Sequence, residues 1–135
     1  MSSTDKKTIL DKIKVEIKDQ SVIPKPETKN DFIVKGWGRR RGENALIYQI
    51  PNHQNPERPY EKGITESEWV RAYNQLMKTG YFDREWFDKN LPACSREGGC
   101  NFTTIGGIFV VLKLAKYAHR GVYEKSRSYQ DNRKR

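Results

Sequence analysis

The chain has 135 residues, of which 35% are hydrophobic, 32% charged and 11% aromatic, and its formal net charge is +9. This length suits one domain with a short tail, and the aromatic content excludes a wholly disordered chain. No apolar run approaches the roughly 20 residues of a membrane helix, and two cysteines are too few for a disulfide-rich secreted scaffold. The polar N-terminus lacks a signal-peptide core, so a cytoplasmic location is expected.

The first half of the chain predicts an antiparallel sheet. Apolar and polar residues alternate over Ile13–Lys18, which predicts a first strand. Two further strands are predicted at Asp31–Trp37 and Ala45–Ile50, where β-branched and aromatic residues are frequent. Residues 21–30 and 51–63 are polar and contain prolines, which predicts loops, and the second of these loops ends the sheet.

Three consecutive arginines between two glycines connect the second and third predicted strands. Glycine adopts the positive φ of a tight turn, so a hairpin with an arginine-rich tip is predicted. Arginine pairs with phosphate or guanine edges through two parallel hydrogen bonds, and aromatic rings can stack on bases. The candidate contacts are Arg39, Arg40, Arg41, Trp37 and Tyr48. The alternatives are that the two aromatic residues belong to the core and that the arginines meet an acidic protein.

The second half of the chain predicts helices. Thr65 and Glu68 form a capping box, and Gly80 stands where a left-handed residue would end the helix. Its apolar stripe comprises Trp69, Ala72, Tyr73, Leu76 and Met77. Asp83 caps a short second helix that ends before Pro92.

A predicted loop over residues 92–101 contains both cysteines and leads to a third predicted helix, Thr103–His119, which Gly121 ends. Gly106 and Gly107 in its first turn weaken a helix by about 1 kcal/mol each, which favours close packing there. Residues 122–123 are predicted to start a last short strand, and residues 126–135 are predicted to form a charged tail.

The phrase Thr65–Trp69 followed by Leu76–Trp86 is similar to the first helix, glycine turn and second helix of winged-helix DNA-binding domains. This resemblance covers residues 64–123. It implies that Thr103–His119 is the recognition helix and that Gly121–Ser128 is the wing. The predicted loop before the third helix is ten residues long, whereas a helix-turn-helix uses about three or four.

The positive charge is concentrated at the C-terminal end, where residues 111–135 contain eight basic and two acidic side chains. Clustered cations are typical of proteins that bind polyanions, because each neutralised phosphate releases condensed counterions. The candidate nucleic-acid contacts implied for the recognition helix and wing are Asn101, Thr103, Thr104, Lys113, Lys116, His119, Arg120, Lys125 and Arg127. The alternative is that the first three only cap a helix and that the cations are solvated.

Metal and enzyme chemistry have weaker signals. Cys94, Cys100, His53 and His119 are ligand types for zinc, but the five-residue gap between the cysteines exceeds the usual spacing of about two to four. A metal-dependent nuclease would need paired carboxylates. The acidic candidates for such a site are Glu43, Glu66, Glu68 and Asp83.

The sequence therefore predicts an α+β fold, in which a small antiparallel sheet packs with a three-helix, winged-helix-like unit. One domain is expected over residues 1–125, with a polar loop at 51–63 and a basic tail at 126–135. The predicted function is non-catalytic binding of nucleic acid, DNA more than RNA, in a regulatory or accessory role. The alternatives are a protein-interaction module for an acidic partner and a small nuclease. No cofactor and no membrane partner are expected.

Overall fold

Two antiparallel sheets surrounded by helices form the part of the chain that this computed structural model describes, residues 3–26 and 31–127. In chain order the elements are α1 (Ser3–Glu16), β1 (Val22–Ile23), β2 (Phe32–Arg40), β3 (Glu43–Ile50), β4 (Tyr60–Thr65), α2 (Glu66–Thr79), β5 (Tyr81–Asp83), α3 (Arg84–Asn90), α4 (Pro92–Glu97), α5 (Cys100–Val111), β6 (Ala115–His119) and β7 (Val122–Lys125). The α+β class is therefore confirmed. Most of the predicted basic tail, from residue 128 onward, lies outside the described residues.

The larger sheet has the strand order β1-β2-β3-β4. Strands β2 and β3 form the predicted hairpin, but residues 38–40, predicted in its connection, belong to β2, and Arg40 opposite Glu43 is the last pair. Arg41 and Gly42 make the turn with φ values of +49° and +79°. Positive φ at both central residues is the requirement of a two-residue type I′ hairpin turn. Such a short turn fixes the register of the two strands and therefore the face on which each side chain lies.

Strand β4 occupies a segment for which the sequence predicted a loop. It pairs with β3 from Tyr60 opposite Ile50 to Thr65 opposite Ala45, so the prediction that residues 51–63 end the sheet is wrong. Gly63 weakens the strand signal in the sequence, since glycine has a low strand propensity. The structure gives the reason for this glycine, because a Cβ there would lie 2.8 Å from Cδ1 of Ile47.

Helix α1 replaces the predicted first strand. Ile9, Ile13 and Ile17 are buried at intervals of four residues, while Val15 is 66% exposed. The strand prediction over 13–18 is therefore wrong. Ile13 and Ile17 satisfy both a helical period and strand alternation, and only Ile9 and Val15 distinguish between them.

Helix α2 begins and ends where the sequence predicted. The side chain of Thr65 accepts a hydrogen bond from the amide of Glu68, the carboxylate of Glu68 accepts one from the amide of Thr65, and Gly80 ends the helix with φ +86°. Four residues of the predicted stripe are buried, and Met77 is partly buried. Asp83 caps α3 as predicted. The ends of α2 and the start of α3 were predictable because each capping residue and its hydrogen-bond partner lie within one helical turn.

The chain after α3 differs from the prediction in two places. Residues 92–97 form α4 within the predicted loop. The predicted helix Thr103–His119 is α5 followed by β6, because Lys113 adopts φ +64° and ends the helical path. Strands β6 and β7 then join β5 in a second sheet with the order β5-β7-β6.

Helix α5 lies in the centre of the core, where the two glycines in it permit close packing. A Cβ on Gly106 would lie 2.1 Å from Cε2 of Tyr123, and one on Gly107 would lie 2.7 Å from the carbonyl oxygen of Pro24. The prediction that these glycines mark close approach is confirmed. One hydrophobic cluster contains side chains from both sheets and from all five helices, so the sheets and helices share a core.

Candidate nucleic-acid interface

The three arginines of the hairpin tip have different surroundings, and Arg41 is turned into the protein. Its guanidinium donates to both carboxylate oxygens of Glu68 at 2.8 and 2.7 Å, to Glu97 at 2.9 Å and to the carbonyl of Gly63 at 2.8 Å. The hydrogen bond to Glu68 is the main reason that the pKa of Arg41 rises above its ordinary value. Arg41 therefore holds the hairpin tip against the protein and has little capacity left for a phosphate.

Arg40 is also neutralised by Glu97. Its Nε donates to Oε2 of Glu97 at 3.3 Å. Burial favours a raised pKa for Glu97, but hydrogen bonds from Arg41 and from the amide of Gly63 outweigh burial and lower the pKa. Glu97 therefore stays ionised at neutral pH, and together with Glu68 it compensates the charges of Arg40 and Arg41.

Arg39 is the exposed arginine of the tip. It donates to Oδ1 of Asn44 at 3.1 Å and to the carbonyl of Gly42 at 2.9 Å, both of them neutral acceptors. Among the described residues it has no ion-pair partner. Its charge is thus available to an external anion, which distinguishes it from its two neighbours.

Arg39 borders an open groove of about 380 Å³ between the hairpin and the helices α1 and α2. This volume lies within the range of small-ligand sites, about 300–1,000 Å³. The groove is lined by Lys14, Trp37, Gly38, Arg39, Asn44 and Glu66. We call these six residues the hairpin groove. It contains two cations, one carboxylate, one amide and one aromatic ring, which suits an anionic ligand that also has a flat polar part.

An ion pair crosses the hairpin groove. Nζ of Lys14 lies 3.2 Å from Oε2 of Glu66 and 5.2 Å from the ring centroid of Trp37. The side chain of Lys14 is 48% exposed. An ion pair as exposed as this contributes little stability, so a ligand can displace the lysine at low cost.

Three elements position the groove. Trp37 and Arg39 are two residues apart on β2, so they project from one face of the strand. Helix α1 places Lys14 over this face, and Glu66 is the first residue of α2. The groove therefore depends on the helical form of residues 13–16, for which the sequence predicted a strand.

Tyr48, the second aromatic residue predicted to stack on bases, is a core residue. It is fully buried, stacks on Phe32 with ring centroids 5.7 Å apart and donates its hydroxyl to Oδ1 of Asn101. Burial raises the pKa of the Tyr48 hydroxyl above its ordinary value. The alternative that this aromatic residue is structural is confirmed.

The residues predicted at the start of the recognition helix are turned inward. Asn101 and Thr104 are fully buried, and Thr103 is partly buried. Asn101 also donates to the carbonyl of Cys94 at 2.9 Å, and both threonine hydroxyls accept hydrogen bonds from Nζ of Lys25, at 2.9 and 2.7 Å. In addition, eight of the twelve residues of α5 are buried. The expectation that these three residues face a phosphate or base edge does not agree with their positions.

Lys25 is a buried cation that the sequence did not single out. It is 9% exposed, its third acceptor is the carbonyl of Cys100 at 3.2 Å, and its ammonium lies 4.0 Å from the ring centroid of Phe32. Burial lowers the pKa of Lys25 to about 7, Cys100 opposes this shift and Arg84 adds to it. Through these hydrogen bonds Lys25 links the segment after β1 to the first turn of α5.

The cations predicted for the end of the recognition helix and the wing lie on or beside the β6–β7 hairpin instead. Lys113, Lys116, His119, Arg120 and Arg127 are exposed, and Lys125 is partly buried. Of these, Lys116 pairs with Glu124 at 3.2 Å. The prediction that Lys113, Lys116 and His119 share a helix with Thr103 is wrong, but the structure brings all six residues together on one hairpin and its flanks.

The zinc candidates are not brought together. Cys94 and Cys100 are free thiols near the core, and burial raises the pKa of Cys94. His53 lies in the exposed β3–β4 connection and His119 at the end of β6. Within the described ranges, no group of three or more His, Cys, Asp or Glu side chains is arranged to hold a metal ion.

The acidic residues considered for a nuclease have separate partners. Glu43 accepts from the hydroxyl of Ser67 at 2.7 Å, Glu66 pairs with Lys14, Glu68 pairs with Arg41, and Asp83 caps α3. Each carboxylate is thus explained by a local structural role.

Sequence analysis missed Lys14, Asn44 and Lys25. The helical spacing of the isoleucines at 9, 13 and 17 is the signal that would have placed Lys14 on a helix. Asn44 stands opposite Arg39 in the hairpin register, a relationship that follows once the two-residue turn is known. Lys25 has no short-range signal, since its acceptors lie more than 70 positions away.

Comparisons of the chain with protein-family models, curated proteins and solved structures give no match. None of the helices in the described ranges combines the length and the apolar character that crossing a membrane requires.

Proposed function

We propose that the protein binds nucleic acid without catalysing a reaction on it, with DNA as the expected partner. The observation that carries this proposal is the position of Arg39, which is exposed, has no carboxylate partner among the described residues and borders an open groove that Lys14 also lines. A guanidinium in this situation binds a phosphate through two parallel hydrogen bonds.

The charge distribution supports the same proposal. Four of the five lysines and arginines predicted on and beside the β6–β7 hairpin are exposed, and residues 111–135 contain eight basic against two acidic side chains. The winged-helix resemblance assigns residues 121–128 to a wing, and β7 and its turn lie in that segment. From the winged-helix resemblance we keep only a wing, the β6–β7 hairpin, that would contact the DNA backbone. The buried helix α5 is not part of the proposed surface.

Binding is tested by titrating a labelled duplex and one of its strands at low and moderate salt, with and without magnesium. We expect affinity to fall as salt rises, because phosphate contacts release counterions, and the DNA to remain intact. Replacing Arg39 by Ala is expected to weaken binding and to reduce the salt slope by about one phosphate contact.

Arg58→Ala is the matched control for Arg39→Ala. Arg58 is also exposed, but it lies in the β3–β4 connection, at the end of the sheet opposite the arginine turn. The control removes the same charge and is expected to leave the affinity nearly unchanged. Failure of the wild-type protein to bind at low salt contradicts the proposal, and loss of intact DNA on addition of magnesium indicates the nuclease alternative.

One observation favours the protein-interaction alternative. Strand β1 and the residues before it pair with β2 only up to Val34, so within the described residues the outer edge from Lys35 to Arg40 has no strand partner. Lys35 on this edge is paired with Glu61 at 2.8 Å, so Arg39 is the cation that an acidic peptide would meet if it added to the sheet as a further strand. A salt-insensitive complex with one protein, together with no nucleic-acid binding, would favour this function.

A further inference from the structure

The hairpin groove has the composition of a site for one unpaired nucleotide. The exposed indole of Trp37 offers a stacking surface, and it is 36% exposed, whereas Trp69 is fully buried. Base–aromatic stacking is the usual attachment of single strands, because every base has a flat face. In a duplex the faces of the bases are covered by their neighbours, so such a surface selects unpaired bases.

Polar groups in the groove are placed beside this surface. Oδ1 of Asn44 accepts from Arg39 and Oε2 of Glu66 holds Lys14, and within residues 3–26 and 31–127 no hydrogen bond occupies the amide nitrogen of Asn44, a donor, or Oε1 of Glu66, an acceptor. A donor and an acceptor beside an aromatic ring match the hydrogen-bonding edge of a base. Gly38, the neighbour of both Trp37 and Arg39, adds only backbone to the lining.

The charges fit the phosphate of the same nucleotide. Arg39 is on the same strand face as Trp37, two residues away, so a phosphate on its guanidinium lies within one nucleotide of a base on the indole. Lys14 covers the indole in the free protein at 5.2 Å from the ring centroid. A base that stacks on the ring displaces this ammonium, which costs its contact with the indole and its exposed pair with Glu66.

We infer that the hairpin groove binds an unpaired nucleotide of a single-stranded nucleic acid, with the base stacked on Trp37 and the phosphate paired with Arg39. This inference rests on the proposed function and adds to it a preference for single strands over duplexes. Single-stranded DNA and single-stranded RNA both present unpaired nucleotides, and the experiment below distinguishes between them.

The test compares the affinities of the wild-type protein and Trp37→Ala for short oligothymidylate, short oligouridylate and a duplex of equal length. We expect Trp37→Ala to weaken single-strand binding by about 10-fold or more, as for loss of one stacked base, and to leave duplex binding nearly unchanged. Trp37→Phe is expected to restore most of the affinity because it keeps an aromatic face. Tyr60→Ala is the matched control, since Tyr60 is an exposed aromatic residue, 56% exposed, on β4 outside the groove.

Intrinsic fluorescence gives a second readout. Single strands are expected to quench tryptophan emission of the wild-type protein, and Trp37→Phe is expected to abolish most of this quenching. Stronger effects with oligothymidylate than with oligouridylate assign the site to DNA, and the reverse assigns it to RNA; either result supports the inference.

The inference and the proposed function fail in different ways. If the wild-type protein binds duplex and single strands equally, and Trp37→Ala weakens neither or both to the same extent, the inference is overturned while the proposed function stands. If the wild-type protein binds no nucleic acid at low salt, both are overturned.

Discussion

Arg41 and Glu68 form a bidentate ion pair that joins the tip of the β2–β3 hairpin to the first turn of α2, with N···O distances of 2.8 and 2.7 Å. The same carboxylate accepts the amide of Thr65 in the capping box. One glutamate therefore both caps a helix and holds a turn whose arginine has φ +49°. The consecutive arginines therefore have different roles, since Arg41 stabilises the fold and Arg39 is accessible to a ligand.

This division predicts different effects for replacements within the row. Arg41→Ala is expected to lower the free energy of unfolding by about 2–4 kcal/mol, because it leaves the carboxylates of Glu68 and Glu97 without their main donor. Arg39→Ala is expected to change it by less than about 0.5 kcal/mol, since an exposed side chain is lost. Urea denaturation of the single variants measures both values.

A double-mutant cycle with Glu68→Gln isolates the pair. Alanine at positive φ has its own backbone cost, but this cost is present in both backgrounds and cancels. We expect a coupling energy of about 1.5–3 kcal/mol, in the range of hydrogen bonds to charged groups. Additive effects of the two replacements would show that the ion pair contributes nothing to stability.

A second prediction concerns Gly106. A Cβ at this position would lie 2.1 Å from Cε2 and 2.2 Å from Cζ of Tyr123. Gly106→Ala improves helix propensity by about 1 kcal/mol, but the ring of Tyr123 must move within a packed core. Overpacking of this kind costs about 1–3 kcal/mol, so the net change in the free energy of unfolding is expected to be destabilising.

Gly99→Ala is the control for this replacement. Gly99 has φ −61°, and the nearest atom to its Cβ would be the flexible end of Arg84 at 3.3 Å. Urea denaturation is expected to give a change below about 1 kcal/mol for this variant. Equal stabilities of Gly106→Ala and Gly99→Ala would contradict the packing of Tyr123 against α5.

Elements whose signals lie within a few residues were predictable from the sequence. The capping box of Thr65 and Glu68, the left-handed Gly80 and a hairpin turn that ends at Gly42 are all local, and the structure contains each of them. Helix α5 was predicted too long because Lys113, with φ +64°, ends the helical path without a glycine or proline at that point. A positive φ at a lysine depends on tertiary packing, which no local pattern reports.

The candidate site was predictable only in part, for a related reason. Arg39 and Trp37 stand together on one strand, so the sequence could indicate both. The inward turn of Arg41 depends on Glu97, 56 positions along the chain, and the groove depends on Lys14, which belongs to a segment with an ambiguous period. Contacts between distant segments thus decide which arginine is free.

The last prediction concerns the buried ammonium of Lys25, whose pKa burial lowers to about 7. Between about pH 7 and 10.5 the unfolded chain keeps the proton that the folded protein has lost, so the free energy of unfolding rises with pH across this window. Below about pH 7 both states are protonated and the cost of burial is present in full. By the equivalence of one pKa unit and 1.36 kcal/mol, the rise is roughly 3–5 kcal/mol. Urea denaturation across this range, compared with Lys25→Met, isolates the contribution from those of other groups. Parallel curves for the two proteins would show that Lys25 keeps an ordinary pKa, which would contradict its burial against Thr103, Thr104 and Phe32.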